Sequence, residues 1–446
     1  MYLKTQKFLI LGVSKSGYAV AKYALSKGAH CSLCEELTSP KIDRAIKELA
    51  ELGAVVLSRL EAINRLEQID VLVLSPGVPI NHEIAVKAKS LGKRIIGELE
   101  FGFLQFAPTS VAITGTNGKT TTVTMIDEIL KEAKRKSKLV GNVGVPITSL
   151  ISEIDAETIC VTEVSSFQLE SINAFCPHVA CVLNISPDHL ERHYTMENYV
   201  FLKKRVFSNQ RESEYTVLNF DDQTVREFYS ETRGKVVWVS VRDKVDGAYR
   251  LDGKLYFKDE CVMDESALKL KGEHNTYDAL FAIACCKLLG VANEYIVSSL
   301  SSFKGIRHRV ELICEKDGVK YYNDSKATNT ASTINALGVM DSPTVLILGG
   351  SEKGEDYREL FEKIKESQIR HVVITGASRF NMLETAGKVG FTDFTVTGDF
   401  FCAVKIADLF AREGDCVLLS PACASFDTFG GYEERGNAFV KAVEEL

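Results

Sequence analysis

Lys119, Thr120 and Thr121 directly follow Gly118, which closes the short loop Gly115-Thr116-Asn117-Gly118 at the end of the apolar run Ser110–Thr114. A strand feeding such a loop can cradle a polyphosphate. The glycines let backbone N–H groups close around phosphate oxygens, Lys119 brings a point charge, and the Thr120 hydroxyl can hold magnesium beside the phosphates. The general pattern has a glycine where Ile113 stands, so the loop alone reads either as an ATP site or as an ordinary strand-to-helix connection. Glu163 ends a second apolar run, Thr158–Thr162, and Asp188-His189 follows a third, Val179–Leu183. Ligands of open α/β sheets gather at the carboxyl ends of the strands, which places Glu163 and His189 near Lys119 and Thr120. Magnesium there needs oxygen ligands and tolerates an imidazole.

The elements that must position these groups alternate strands and helices, the pattern of parallel sheets. In the first segment strands are expected at Phe8–Leu11, His30–Cys34 and Val71–Leu74, with a helix from about Tyr18 to Lys27 closed by Gly28. Its first turn, Gly12-Val-Ser14-Lys15-Ser16-Gly17, is similar to a dinucleotide fingerprint but has Ser14 where a second glycine would admit a pyrophosphate. A looser nucleotide-diphosphate site is expected instead, at Ser14, Lys15, Ser16 and the Ser75-Pro76-Gly77 turn. Glu35 and Glu36 either meet a ribose or base there or are solvated acids. The segment near 233–270 reads as short strands and turns, and Gly272-Glu-His274-Asn275 opens a helix through Leu289. Strands at Val319–Tyr322, Val345–Leu348, Val372–Ile374 and Val417–Leu419 define a last unit. The fold expected is α/β in three domains: residues 1–98 and 305–446 as Rossmann-like parallel sheets flanking a central P-loop-type ATPase domain, 99–304.

A chain of 446 residues is too long for one core. With 45% hydrophobic and 25% charged residues it has the composition of a soluble globular protein. The net charge of -7 gives no electrostatic case for nucleic acid or an anionic membrane. The opening apolar run is too short for a signal peptide, and no later one spans a bilayer, so a cytoplasmic protein is expected. The 12 cysteines lie mostly in apolar stretches, where a free thiol is a small core residue. Cys31-x-x-Cys34 has no second pair beside it and is read as structural.

Taken in order, Gly115–Thr121, Gly141-Asn142-Val-Gly144, Glu163-Val-Ser165-Ser166-Phe-Gln168, Asn184…Asp188-His189, Gly272-Glu-His-Asn275, His308-Arg309 and Asn323-Asp324-Ser325-Lys326-Ala-Thr328-Asn329 make a longer signature. The chain resembles the Mur ligases of bacterial cell-wall synthesis over nearly its whole length. The C-terminal runs Leu419-Ser-Pro-Ala-Cys-Ala-Ser425-Phe426-Asp427 and Gly-Gly-Tyr432-Glu-Glu-Arg435-Gly436 are similar to those of the branch that adds D-glutamate.

The resemblance implies ATP-dependent amide formation between UDP-N-acetylmuramoyl-L-alanine and D-glutamate, with magnesium, by a monomer. It implies that Lys119, His189 and Lys203 are catalytic and that Gly115, Thr116, Asn117, Gly118, Lys119, Thr120 and Thr121 hold the phosphates. Asn275 would contact adenine, with Arg309, Asp324 and Lys326 on the ribose and phosphates; Asp278 departs from an asparagine expected at that position. Magnesium would use Thr120, Glu163, His189 and a carbamylated lysine, which the spacing Tyr199-x-x-x-Lys203 assigns to Lys203 although Lys204 is adjacent. Ser14, Lys15, Ser16, Glu35, Gly77, Asn142, Ser165 and Gln168 would hold the UDP substrate. Thr328 at the start of a helix, Lys353, Ser425, Phe426 and Tyr432 would hold the amino acid. His274 and His308 also read as structural histidines. Two rival readings stand beside this one: another ligase of the superfamily, and a nucleotide-binding regulatory protein with an inert loop.

Overall fold

In the computed structural model, which describes residues 3–352 and 354–446, the strands form three sheets. The first joins β1 (Lys7–Leu11), β2 (His30–Cys34), β3 (Val55–Leu57), β4 (Val71–Leu74) and β5 (Arg94–Gly97) in the order β3-β2-β1-β4-β5, every pair parallel. Alternate faces of β1 and β4 are buried, Phe8, Ile10, Val71 and Val73 on one side and Leu9, Leu11, Leu72 and Leu74 on the other. Two-sided burial explains why these strands are continuous apolar runs rather than alternating ones. The first helix runs Lys15–Ser26, three residues earlier than the pattern suggests. Gly12, at φ +86°, turns the chain sharply enough for the helix to start at once, and Gly17 inside it packs where a Cβ would sit 1.9 Å from the Gly12 carbonyl oxygen.

The second sheet has nine strands: β6 (Thr109–Thr114), β7 (Ser137–Gly141), β8 (Ile159–Glu163), β9 (Val179–Val182), β10 (Tyr215–Asn219), β11 (Lys235–Ser240), β12 (Gly247–Leu251), β13 (Lys254–Phe257) and β14 (Glu260–Asp264). Their order is β14-β13-β12-β11-β10-β9-β6-β8-β7, antiparallel only where β13 pairs with β12 and with β14. From β6 the chain crosses to β7 at the sheet edge, returns to β8 beside β6 and then passes to β9 on the other side of β6, so the strand order reverses about β6, the topological switch point where ligands of such sheets bind. Strand β8 starts one residue later than the apolar run because the Thr158 hydroxyl is spent on the Asp155 carboxylate of the preceding turn at 2.7 Å. Glu163 is the last paired residue of the strand, opposite Ile113 on one side and Gly141 on the other.

The third sheet comprises β15 (Glu311–Lys316), β16 (Val319–Asn323), β17 (Thr344–Gly349), β18 (Ile369–Thr375), β19 (Phe394–Val396) and β20 (Cys416–Leu419), ordered β15-β16-β20-β17-β18-β19 and parallel except for the β15–β16 hairpin. By contacts the chain divides into two compact units. One runs to Lys269 and takes in Asn275–Ser302, so it holds the first two sheets; the other takes Leu270–His274 and Phe303–Leu446. The helix Glu98–Gln105 shows why the first two sheets belong together. Its Phe101 lies in the first sheet's core, edge-on to Phe8, while Glu98 accepts from the Thr148 amide and hydroxyl of the second.

Candidate active site

At the end of β6 the loop Gly115–Gly118 leads into the helix Lys119–Glu132. Gly118 stands at φ +85°, where glycine is favoured, and a Cβ there would lie 2.4 Å from Asp278 Oδ1, so any side chain would have to displace that carboxylate. The loop is held open from the β9 side. Asn184 accepts from the Asn117 amide through Oδ1 at 2.8 Å and donates to the Asn117 carbonyl at 3.1 Å, and the Thr116 hydroxyl lies 3.1 Å from the Tyr199 hydroxyl. In the sequence Asn184 stands out only as part of the run Asn184…Asp188-His189; its position two residues past the buried end of β9 is the signal for its role.

Lys119 donates to the carbonyls of Gly115 at 2.8 Å and Thr116 at 2.7 Å, curling back over the loop. The Thr120 hydroxyl donates to Glu163 Oε2 at 2.7 Å, and Asn142 donates from its amide nitrogen to Glu163 Oε1 at 2.7 Å. The structure thus gathers Lys119, Thr120, Glu163 and Asn142 at the ends of β6, β8 and β7. Lys203 joins them from the helix Met196–Lys204. It is 2% exposed and donates to the Gly115 carbonyl at 2.8 Å, whereas Lys204 pairs with Glu231 away from the loop. Burial and the charge of Lys119 push the Lys203 amine well below its usual pKa, with Asp188 and Glu163 opposing. A neutral amine is the form that can react with carbon dioxide.

His189 occupies the left-handed region, φ +54°, a conformation histidine adopts more readily than bulkier residues. Its ring packs on Phe167 at 4.9 Å, with Glu191 3.3 Å from Nδ1. Nearby, Ser165 caps a short helix by accepting from the Gln168 amide at 3.3 Å, and the Gln168 side chain returns the bond to the Ser165 amide at 2.9 Å. Both side chains are thus occupied in a capping box.

For magnesium, the donors present are the Thr120 hydroxyl and the Glu163 carboxylate, already converged within a hydrogen bond. Among the described residues no three His, Cys, Asp or Glu side chains cluster. Two hard oxygens, with phosphate and water completing the shell, is the arrangement magnesium prefers, so the donor set fits that ion.

On the first sheet, Ser14 and Lys15 are exposed, Ser16 is half-buried and Gly77 is exposed with open space around it. Glu35 is not a free acid. Its carboxylate accepts from the Val13 amide at 2.5 Å and from the amides of Glu36 and Leu37 at 2.9 Å each, closing the Gly12 turn from β2. Glu36 faces Arg59 at 3.6 Å and His82 at 3.4 Å.

Asn275 and Asp278 are buried on the helix Glu273–Leu288, and Asp278 accepts from the Thr122 hydroxyl at 3.1 Å. This acid therefore supports the helix that follows the phosphate loop. In the third sheet Asp324 follows β16 and is buried, accepting from the Ser420 hydroxyl at 2.6 Å and the Val310 amide at 3.3 Å. Burial raises its pKa to about 7, against Ser420 and the Arg309 charge. Lys326 donates to the Tyr432 hydroxyl at 3.2 Å and lies over that ring. Ser425 is buried and Phe426 is 73% exposed. Thr328 is half-buried ahead of the helix Thr330–Leu337; Asn329 caps that helix instead, accepting from the Ser332 amide at 2.9 Å. Lys353 lies outside the described residues. His308 is buried, with Nδ1 2.9 Å from the Asn323 amide nitrogen. Burial brings the His274 pKa down to about 4.

A phosphate loop at the switch point of a central parallel sheet, with a parallel sheet before it and another after it, defines a three-sheet α/β nucleotide-binding protein. Three family descriptions match in that order: Mur ligase MurD-like, N-terminal domain over residues 6–97; Mur ligase middle domain over 113–286; and Mur ligase, glutamate ligase domain over 308–423. The chain belongs to the Mur ligase family. It is 39% identical, over all of both chains, to the UDP-N-acetylmuramoylalanine--D-glutamate ligase of Thermoanaerobacter sp. (strain X514), and 38% identical, again over all of both, to that of Clostridioides difficile (strain 630). Among solved structures it is similar in fold to MurF from Acinetobacter baumannii, with a TM-score of 0.67 and 18% identity over 98% of this chain and 93% of that one. The MurF ligase of Thermotoga maritima, solved in complex with ADP, gives a TM-score of 0.61 at 17% identity over 99% of both.

Proposed function

We propose that the protein is an ATP-dependent amide ligase that joins D-glutamate to UDP-N-acetylmuramoyl-L-alanine in the assembly of peptidoglycan precursors. The full-length identity to relatives named for that reaction carries the choice of substrates. The convergence of Lys119, Thr120 and Glu163 at one strand-end crevice supports the chemistry. An inert nucleotide-binding protein would not need a carboxylate and a hydroxyl joined in that place.

An amide does not form directly from a carboxylate, because the anion repels nucleophiles and oxide is a poor leaving group. Transfer of the γ-phosphoryl group of ATP to the alanyl carboxylate makes an acyl phosphate. The D-glutamate amine then attacks the carbonyl carbon, and phosphate departs from the tetrahedral adduct. In this reading Lys119 leaves the loop carbonyls and meets the β/γ-phosphates, countering charge that develops during transfer. Loop amides from Gly115 to Thr121 hold the phosphates. Thr120, Glu163, His189 and a carbamylated Lys203 would hold magnesium, which supplies further positive charge on the phosphoryl group. Asn142, Ser165 and Gln168 orient the sugar-peptide end, and Ser14, Lys15, Ser16, Glu35 and Gly77 line the uridine-diphosphate end. Asn275, Arg309, Asp324 and Lys326 are assigned to ATP, and Thr328, Lys353, Ser425, Phe426 and Tyr432 to D-glutamate. The domain boundaries proposed are 1–98, 99–304 and 305–446, in a monomer working in the cytoplasm, where ATP is supplied.

The test is phosphate release from ATP by the purified protein with an amino-acid panel. Release that requires both UDP-N-acetylmuramoyl-L-alanine and D-glutamate is expected; release supported by L-alanine or L-lysine instead, or independent of the muramoyl substrate, overturns the assignment.

A further inference from the structure

Arg192 lies in the short helix Leu190–His193 that follows His189, and its guanidinium engages two separate segments. Nε and Nη2 form a fork on the Glu170 carboxylate at 3.1 and 2.6 Å. Nη1 donates to the Gly77 carbonyl at 3.2 Å, and Nη2 also faces the carbonyls of Pro76 at 3.3 Å and Val78 at 3.2 Å. The plane lies 4.7 Å over the Phe167 ring, which also packs on His189. Three successive carbonyls of the first sheet's β4 turn are therefore bound by a residue of the second sheet's Asp188–His193 loop. The same turn is fastened to the β1 turn, because the Ser75 hydroxyl donates to the Gly12 carbonyl at 2.7 Å.

We propose that Arg192 is the positioning residue that sets the spacing between the two ends of the UDP substrate. The inference rests on the reading above, in which the diphosphate end lies at the Gly12 and Gly77 turns and the alanyl carboxylate lies near His189 and Lys119. A long substrate anchored at its nucleotide end delivers its carboxylate to the γ-phosphate only if the two anchor sites keep a fixed separation, and a misplacement of about 1 Å can cost about a hundredfold in rate. Arg192 reaches the diphosphate end through the backbone carbonyls of its turn, Gly77 included, and the His189 end through the Phe167 ring. Its planar fork spans five acceptors at once, which a lysine's point charge does not.

The experiment compares wild type, Arg192→Lys and Arg192→Gln. Steady-state kinetics with UDP-N-acetylmuramoyl-L-alanine, ATP, magnesium and D-glutamate are paired with hydrogen–deuterium exchange. The expected result, in both variants, is a fall in kcat together with a rise of about tenfold or more in KM for the UDP substrate, with KM for ATP and for D-glutamate within about twofold. Amide exchange should quicken across residues 75–80 and stay unchanged across 115–121. The lysine should not rescue. A UDP-substrate KM within twofold of wild type in either folded variant overturns the inference, as does an equal rise in all three constants, which marks a purely structural role. Should wild type itself fail to turn over these substrates, the functional reading falls instead. Exchange across 75–80 then still decides whether Arg192 holds that turn.

Discussion

Lys119 and Lys203 both point at the Gly115 carbonyl, yet the chemistry assigned to them differs. Lys119 must swing onto phosphate, and no other loop side chain carries a positive charge there, so Lys119→Ala is expected to lower kcat by a hundredfold or more. Retained turnover in that variant would remove the loop from the mechanism. Lys203 is buried with a depressed pKa and Lys204 is paired with Glu231, so only the first is suited to become a carbamate. Lys203→Ala should lose activity and regain part of it with added acetate, while Lys204→Ala stays active; rescue of the second and not the first would reverse the assignment. Asp324 offers a pH test. Its folded pKa of about 7 stands above the unfolded value of about 3.9, so between those values the folded state holds a proton the unfolded state has released. Unfolding free energy must therefore fall as pH rises from about 4 to 7, by at most about 1.4 kcal/mol per unit, and level off on either side. Asp324→Asn should flatten this slope in denaturant titrations run at several pH values. An unchanged slope would show that the carboxyl is ionised throughout.

The helix Glu98–Gln105 decides how the first sheet can be cut. Glu100 is fully buried and accepts from the amides of Asn173, Ala174 and Phe175 at 2.9 to 3.0 Å, while Phe101, one residue on, fills the first sheet's core beside Phe8 and Tyr23. A fragment ending at residue 98 lacks that ring. Loss of a buried phenylalanine costs about 3–5 kcal/mol, so residues 1–106 should melt at a clearly higher temperature than residues 1–98 in circular dichroism. Equal melting temperatures would mean that the first core closes without Phe101.

For the whole molecule, one hydrogen bond at the phosphate loop bears on what ligand and metal should do. Thr120 and Glu163 are bonded to each other, so magnesium has to replace a hydrogen bond to a carboxylate, worth about 1.5–3 kcal/mol, with its own coordination. ATP with magnesium at a hundredfold excess over its Kd should stabilise the folded protein by about 2.7 kcal/mol, seen as a rise in Tm. Chelation by EDTA should abolish phosphate release and most of that rise. An ATP-induced shift that survives both chelation and Lys119→Ala would place the nucleotide elsewhere.

Much of this was legible in the residues themselves. Runs such as Val71–Leu74 and Val179–Val182, buried on both faces, announce parallel strands by their continuous apolarity, and Gly118-Lys119-Thr120 announces a phosphate loop by backbone chemistry that needs no distant partner. Order along the chain also carried the family. What sequence left open were matters of neighbourhood. Lys203 and Lys204 have the same chemistry, and only the rotation of one helix residue buries the first against Gly115 and leaves the second beside Glu231. Glu35 and Glu36 are likewise equivalent in sequence, yet the turn after β1 presents its Val13 amide to one of them alone. Asp278 was a departure with no evident role until the helix carrying it came to rest under Thr122. Strand and loop propensities are local and survive in the one-dimensional record. The charge, burial and partner of a side chain depend on residues tens to hundreds of positions away, and only the folded chain brings those within a few ångströms.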